Sequence, residues 1–184
     1  MKFRETGLSG SYLIDLEPHQ DERGFFARYY CEREFSTLGL NTRWVQVNDS
    51  LSKDKGTLRG LHFQNHPHAE VKLVRCIQGS IWDVIVDVRK GSETFGKWFG
   101  TELNEVNRRM MYLPEGFAHG FVTLQPNAEI IYLVSDFYAP EAEQTLFWGD
   151  KSVAIEWPMC PSRVSDKDSQ GKRLSEIDPI YTSG

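Results

Sequence analysis

Apolar residues recur along this chain in short alternating runs, each broken by Gly, Pro, Asn or Asp. The clearest is Ser80-Ile-Trp-Asp-Val-Ile-Val-Asp-Val-Arg89, which predicts a strand over 80–89. With a period of two, Trp82, Val84, Val86 and Val88 share one face, and Ile81, Asp83, Ile85 and Asp87 share the other. The same reading predicts strands over 45–51, 58–64, 71–77 and 130–138. On the first of these Gln46, Asn48 and Ser50 share a face. On the last, Tyr132, Val134, Asp136 and Tyr138 point the same way. Helical signals are few. One runs over 32–38 and stops at Gly39, and another lies within 165–177. Many short strands between turns predict an all-β barrel or sandwich.

The 184 residues fit one domain spanning 1–184, without repeat, low-complexity tract or linker. The net charge of -5 offers no bulk basic field for nucleic acid or an anionic membrane, though a local cluster of cations can still bind a small anion. The three cysteines, Cys31, Cys76 and Cys160, are odd in number and widely spaced. That argues against a disulfide framework or a zinc site and suits a reducing cytoplasm. The opening Met1-Lys-Phe-Arg lacks the apolar run of a signal peptide, and no stretch reaches the ~20 apolar residues of a membrane span.

Several residues can carry chemistry. His62 shares a strand face with Gln64, and imidazole is the usual general base near neutral pH; the alternative is a buried histidine satisfied by backbone. His119 follows the Pro114-Glu-Gly turn, as an acid or base, a metal ligand, a phosphate donor or a cap for that turn. Lys72 shares a face with Val74 and Cys76, and is either an inward cation able to stabilise an enolate oxygen or a solvated surface residue. Tyr132 is an acid candidate or a core tyrosine. Arg23, Arg59 and Lys167 can together bind a diphosphate. Asp168 can orient His62, as in other His–Asp pairs. Arg59 and His62 are an odd number apart, so a flat strand puts them on opposite faces. Gly60 between them permits a bulge that re-aims one of them.

The segments Gly56-Thr-Leu-Arg-Gly-Leu-His62-Phe-Gln64 and Pro114-Glu-Gly-Phe-Ala-His119-Gly resemble the two halves of the cupin double motif. Gln64 stands where a metal-binding cupin has a second histidine, and an amide is a poor transition-metal ligand. His66, His68 and Glu70 on the next loop can supply ligands, at spacing unlike the cupin pattern.

Further runs extend the resemblance over nearly the whole chain. They include Asp21-Glu-Arg-Gly-Phe-Phe26, Gln46-Val-Asn48, Lys72-Leu-Val-Arg, Ser92-Glu-Thr-Phe-Gly96, Tyr138-Ala-Pro-Glu-Ala-Glu143, Trp157-Pro and Ser165-Asp-Lys-Asp168. In this order they resemble the dTDP-4-dehydrorhamnose 3,5-epimerase family. The resemblance implies a cupin-type double-stranded β-helix (jelly-roll) barrel with a few short helices. It implies a homodimer, open to N-terminal strand exchange, that needs no metal or other cofactor and acts on a nucleotide-diphosphate sugar, a 4-keto-6-deoxyhexose. Carried over by position, His62 is the base with Asp168 behind it, Tyr132 the acid, and Lys72 the cation at the C4 oxygen. Arg23, Phe26, Arg28, Gln46, Asn48, Arg59, His119, Tyr138, Glu143 and Lys167 become substrate-binding positions, Tyr138 by stacking on the base. Arg28 is a departure, since the family commonly has a glutamate there, and the reversed charge bears on nucleotide identity. Relatives that invert only C3 or only C5 are an alternative outcome. A metal-dependent cupin oxygenase or isomerase and a non-catalytic sugar-nucleotide binder are alternatives of other classes.

Overall fold

The computed structural model describes residues 1–178, 180 and 181. In chain order its strands are β1 (Lys2–Glu5), β2 (Tyr12–Asp15), β3 (His19–Asp21), β4 (Gly24–Phe26), β5 (Gln46–Ser52), β6 (Thr57–Gln64), β7 (Lys72–Gln78) and β8 (Ser80–Asp87). There follow β9 (Arg89–Lys90), β10 (Trp98–Asn104), β11 (Met110–Leu113), β12 (Phe117–Thr123), β13 (Ala128–Val134), β14 (Glu143–Thr145), β15 (Arg163–Val164) and β16 (Ile180–Tyr181). Two short helices are α1 (Glu32–Ser36) and α2 (Asp166–Ser169). Among the described residues no helix is long and apolar enough to cross a membrane.

The strands form two main sheets, ordered β1-β2-β11-β7-β13-β5 and β10-β8-β12-β6-β14, with β15 alongside β6. Except for β15 on β6, neighbours within these sheets run antiparallel, and the two close face to face as a jelly roll. Ile81, Ile85, Phe117 and Phe121 of one sheet meet Val74, Cys76, Met111 and Ile130 of the other in the space between them. The outward faces are covered too. Phe35 of α1, with Tyr30 and Trp44, lies over Ile14, Leu73 and Met110. The C-terminal segment lays Leu146, Val153, Trp157 and Ile177 over Leu61, Phe63, Val84 and Val86. Coverage on both faces explains why β8 is apolar on both alternations.

The expected alternation holds on β8, β7, β6 and β5, with ends shifted by a residue or two. Two expectations are corrected. Strand β13 stops at Val134, because residues 135–136 bend, so Tyr138 leaves the sheet and reaches the site from a turn. The helix expected within 165–177 is only α2, and the rest is turns pinned to β14 and to Asp150 by backbone hydrogen bonds.

Gly60 marks the irregularity that builds the site. Strand β12 pairs His119 with His62 and Phe121 with Arg59, two residues against three. The extra residue in β6 is a bulge, and it turns Arg59 to the same cavity as His62. Gly60 has φ +117, and a Cβ there would lie 2.6 Å from the Gly120 Cα and the His119 carbonyl oxygen. Only glycine permits this approach of β6 to β12.

Candidate active site

His62 lies on the inner face of β6, and its Nε2 is 2.6 Å from Asp168 Oδ1. Asp168 is nearly buried and comes from α2. Ser165 caps that helix, its Oγ accepting from the Asp168 N–H at 3.1 Å. In a Ser-x-x-acid box the acid usually reaches back to the cap. Here the Asp168 carboxylate goes instead to His62 and to the Gly60 N–H. Burial pushes the Asp168 carboxyl up. The His62 hydrogen bond and charge, Ser165 and the Gly60 amide outweigh it and leave the group below the usual carboxylate range. The pair leaves His62 Nδ1 without a protein partner among the described residues.

A second histidine stands beside the first. His119 is the cross-strand partner of His62, and its Nε2 is 2.7 Å from Oδ1 of fully buried Asp83 on β8. Across the barrel, β7 and β13 supply Lys72 and Tyr132. Lys72 is inward and nearly buried, so it is not a solvated surface residue, and its Nζ is 2.9 Å from Glu70 Oε1. Burial first, then the Glu70 carboxylate, pushes the Tyr132 phenol above its usual range, with Glu143 adding and Arg59 opposing. Tyr132 therefore carries its proton throughout the neutral range.

His62, Lys72 and Tyr132 line two cavities of about 630 and 460 Å³. The larger also holds Arg59, Arg163, Lys167, His119 and Asp168, a cation-rich wall. The smaller also holds Gln46, Asn48, Glu70, Tyr138 and Glu143. Arg59 is steadied by Ser52 Oγ at 3.0 Å. Glu143 Oε2 takes both Lys167 Nζ at 2.5 Å and the Tyr138 hydroxyl at 3.0 Å. Gln46 Oε1 accepts from the Tyr138 N–H at 2.9 Å, which sets the exposed Tyr138 ring at the mouth. An imidazole on one sheet thus faces a phenol on the other, with an ammonium in the same space. That set can remove a proton beside a carbonyl, hold the enolate charge and return a proton to the opposite side.

The model of the dTDP-4-dehydrorhamnose 3,5-epimerase family matches residues 5–176. The chain belongs to this family of isomerases. It is 46% identical to the dTDP-4-dehydrorhamnose 3,5-epimerase of Shigella flexneri over 179 residues, 97% of this chain and 98% of that one. The crystal structure of the Elizabethkingia anophelis enzyme superposes with a TM-score of 0.92 at 42% identity, covering 95% of this chain and 97% of that one. That of the dTDP-6-deoxy-D-glucose-3,5-epimerase of Legionella pneumophila, in complex with dTDP-4-keto-L-rhamnose, gives 0.92 at 38% identity and covers 99% of each.

Three expected binding residues lie outside these two cavities. Arg23 and Phe26 belong to the β3–β4 hairpin, where Arg23 pairs with Asp21 and both side chains are exposed, at 90% and 68%. They line a separate cleft of about 390 Å³ that shares no residue with the two central cavities. Arg28 faces Glu34 of α1 at 3.5 Å. Gln64, in place of a second cupin histidine, is an internal clamp. Its amide donates to the His68 and Phe137 carbonyls and accepts from the Ala139 N–H. The loop groups do not join His62 as a ligand set, since Glu70 pairs with Lys72 and His68 faces Asp136 at 3.5 Å. Among the described residues no three His, Cys, Asp or Glu side chains cluster as a metal ion would need.

Sequence reasoning passed over Asp83 and Arg163. Asp83 shares the inward alternation of Ile81 and Ile85, a signal that a buried carboxylate needs a partner. Arg163 had no signal, because β15 reaches the cavity only by lying parallel to the start of β6.

Proposed function

We propose that this chain epimerises C3 and C5 of a dTDP-linked 4-keto-6-deoxyhexose, as in dTDP-rhamnose biosynthesis. The observation that carries this reading is His62 on one sheet, paired with Asp168 of α2, facing Tyr132 on the other, with Lys72 lining the same cavities. His62 removes the proton beside the C4 ketone, and Asp168 stabilises the imidazolium that forms. Lys72 holds the charge that develops on the C4 oxygen, where one well-placed donor contributes about 3 kcal/mol. Tyr132 returns a proton to the other face.

Arg59, His119 and Lys167 bind the diphosphate and sugar in this reading, and Gln46, Asn48, Tyr138 and Glu143 frame the nucleotide end. Arg23, Phe26 and Arg28 serve the site of a second copy, in a cytoplasmic homodimer that exchanges its N-terminal hairpin. Their exposure and their distance in lining from the central cavity support that assignment. Analytical ultracentrifugation reads the dimer directly, and a mass of one chain ends the hairpin assignment.

The test of function is proton NMR of dTDP-4-keto-6-deoxyglucose with the enzyme in heavy water, beside His62→Ala. Loss of the C3 and C5 proton signals with the native enzyme only is the expected result. Loss at one carbon makes this a single-site epimerase, and no exchange refutes the reading. The same incubation with a UDP-linked sugar reports what Arg28 does to nucleotide choice.

A further inference from the structure

Glu70 is the nearly buried carboxylate of the site to which the mechanism above gives no task. It lies just before β7, with only 11% of its side chain exposed against 9% for Lys72, and its Oε1 is 2.9 Å from Lys72 Nζ. We propose that Glu70 is a positioning residue for the epimerase chemistry, holding the Lys72 ammonium where the two cavities meet. The proposal rests on the function proposed above.

Three physical points support it. An ammonium taken this far out of water needs a paired anion, or its burial is too costly. A lysine side chain is long and rotatable, so an unheld Nζ would sample several places in the cavity. An ammonium has three donors; one on Glu70 leaves two for a substrate oxygen. The same carboxylate acts on Tyr132. The charged or titratable groups that share the two cavities with that phenol are Glu70, Lys72, Arg59, His62, His119, Tyr138, Glu143, Arg163, Lys167 and Asp168, of which Glu70, Arg59 and Glu143 act on it. After burial, Glu70 is the largest influence keeping its proton on, while the charge of Glu143 is matched by Lys167 and that of Arg59 opposes.

The test uses Glu70→Gln, which keeps an acceptor and removes the charge, with Glu70→Asp as the conservative variant. In the exchange assay E70Q is expected to lower kcat about 10- to 100-fold, less than loss of a whole charge-stabilising donor, with KM within about threefold. Its alkaline limb should move to lower pH, because the removed negative charge had favoured the protonated phenol. E70D should recover most of the rate. The double variant E70Q/K72M removes both charges together and so leaves no unpaired buried ion to unfold the protein. In the Lys72→Met background E70Q should change kcat by less than about twofold, since a residue acting through Lys72 has nothing left to position. An equal loss in both backgrounds overturns the proposal. So does an E70Q enzyme with native kcat and native pH profile. Native enzyme that exchanges no protons ends the epimerase reading itself, and this role with it.

Discussion

Asp168 follows His62 by 106 residues, and its Oδ1 lies 2.6 Å from His62 Nε2. The contact joins the four-residue helix α2, which follows β15, to strand β6. Asp168→Asn keeps the shape and removes the charge that favours the imidazolium. We expect kcat for exchange to fall about 10²–10⁴-fold with little change in KM, the range of a lost general base. Initial rates on a variant with native circular dichroism check this. A native kcat would remove Asp168 from the support of the base.

Tyr132 and His62 occupy opposing sheets, so their tasks should separate. Tyr132→Phe leaves the base intact. It should still wash solvent deuterium into the substrate carbons while forming inverted product at least about 10²-fold more slowly. Parallel NMR readings of exchange and of product stereochemistry decide it. Equal loss of both would mean that Tyr132 is needed before the proton leaves.

The bulge at Gly60 gives a backbone prediction. Alanine there meets the Gly120 Cα and the His119 carbonyl at 2.6 Å, at a φ of +117 that side chains avoid. Gly60→Ala should cost about 1–3 kcal/mol from the strained φ, with the overlap adding to it. It should also re-aim Arg59 or His62. Urea denaturation and exchange rates measure the two effects, and a variant with native stability and rate contradicts the account.

Acid stability follows from Asp87. Burial pushes its carboxyl up, but Arg89 together with the Ser92 and Thr94 hydroxyls brings it below the usual range. A carboxyl lowered in the folded state stabilises above its unfolded value, about 3.9. That contribution disappears as pH falls through the folded value. Asp168 has the same sign. The melting temperature should therefore be flat near neutrality and drop below about pH 4. Asp87→Asn should lose about 3–5 kcal/mol at pH 7, because Arg89 is left unpaired, and should show a shallower acid slope. Thermal melts from pH 3 upward, at about half-unit steps, test both.

How much of this was legible in the chain depended on distance along it. The period-two faces of β8, β7, β6 and β5 were readable, because the side-chain direction in a strand is set by local backbone geometry. His62, Lys72 and Tyr132 were readable as candidates for chemistry, and Gly60 as a residue that permits a bulge. Lys72 was undecided, because face membership is local but which face is buried depends on the opposing sheet. Tyr138 was placed on a strand that ends before it, since the bend after Val134 is held by contacts with β5 and Gln64 from elsewhere. The His62–Asp168 and His119–Asp83 pairs and the approach of Arg163 join segments far apart in the chain that meet only when the strands assemble. Sequence by itself determined most of the strands, through steric rules acting between neighbours, and supplied the candidate reactive groups. The tertiary structure decided which of these groups are buried and which distant residues they meet, as Asp83 meets His119, because burial and long-range pairing depend on how the strands assemble.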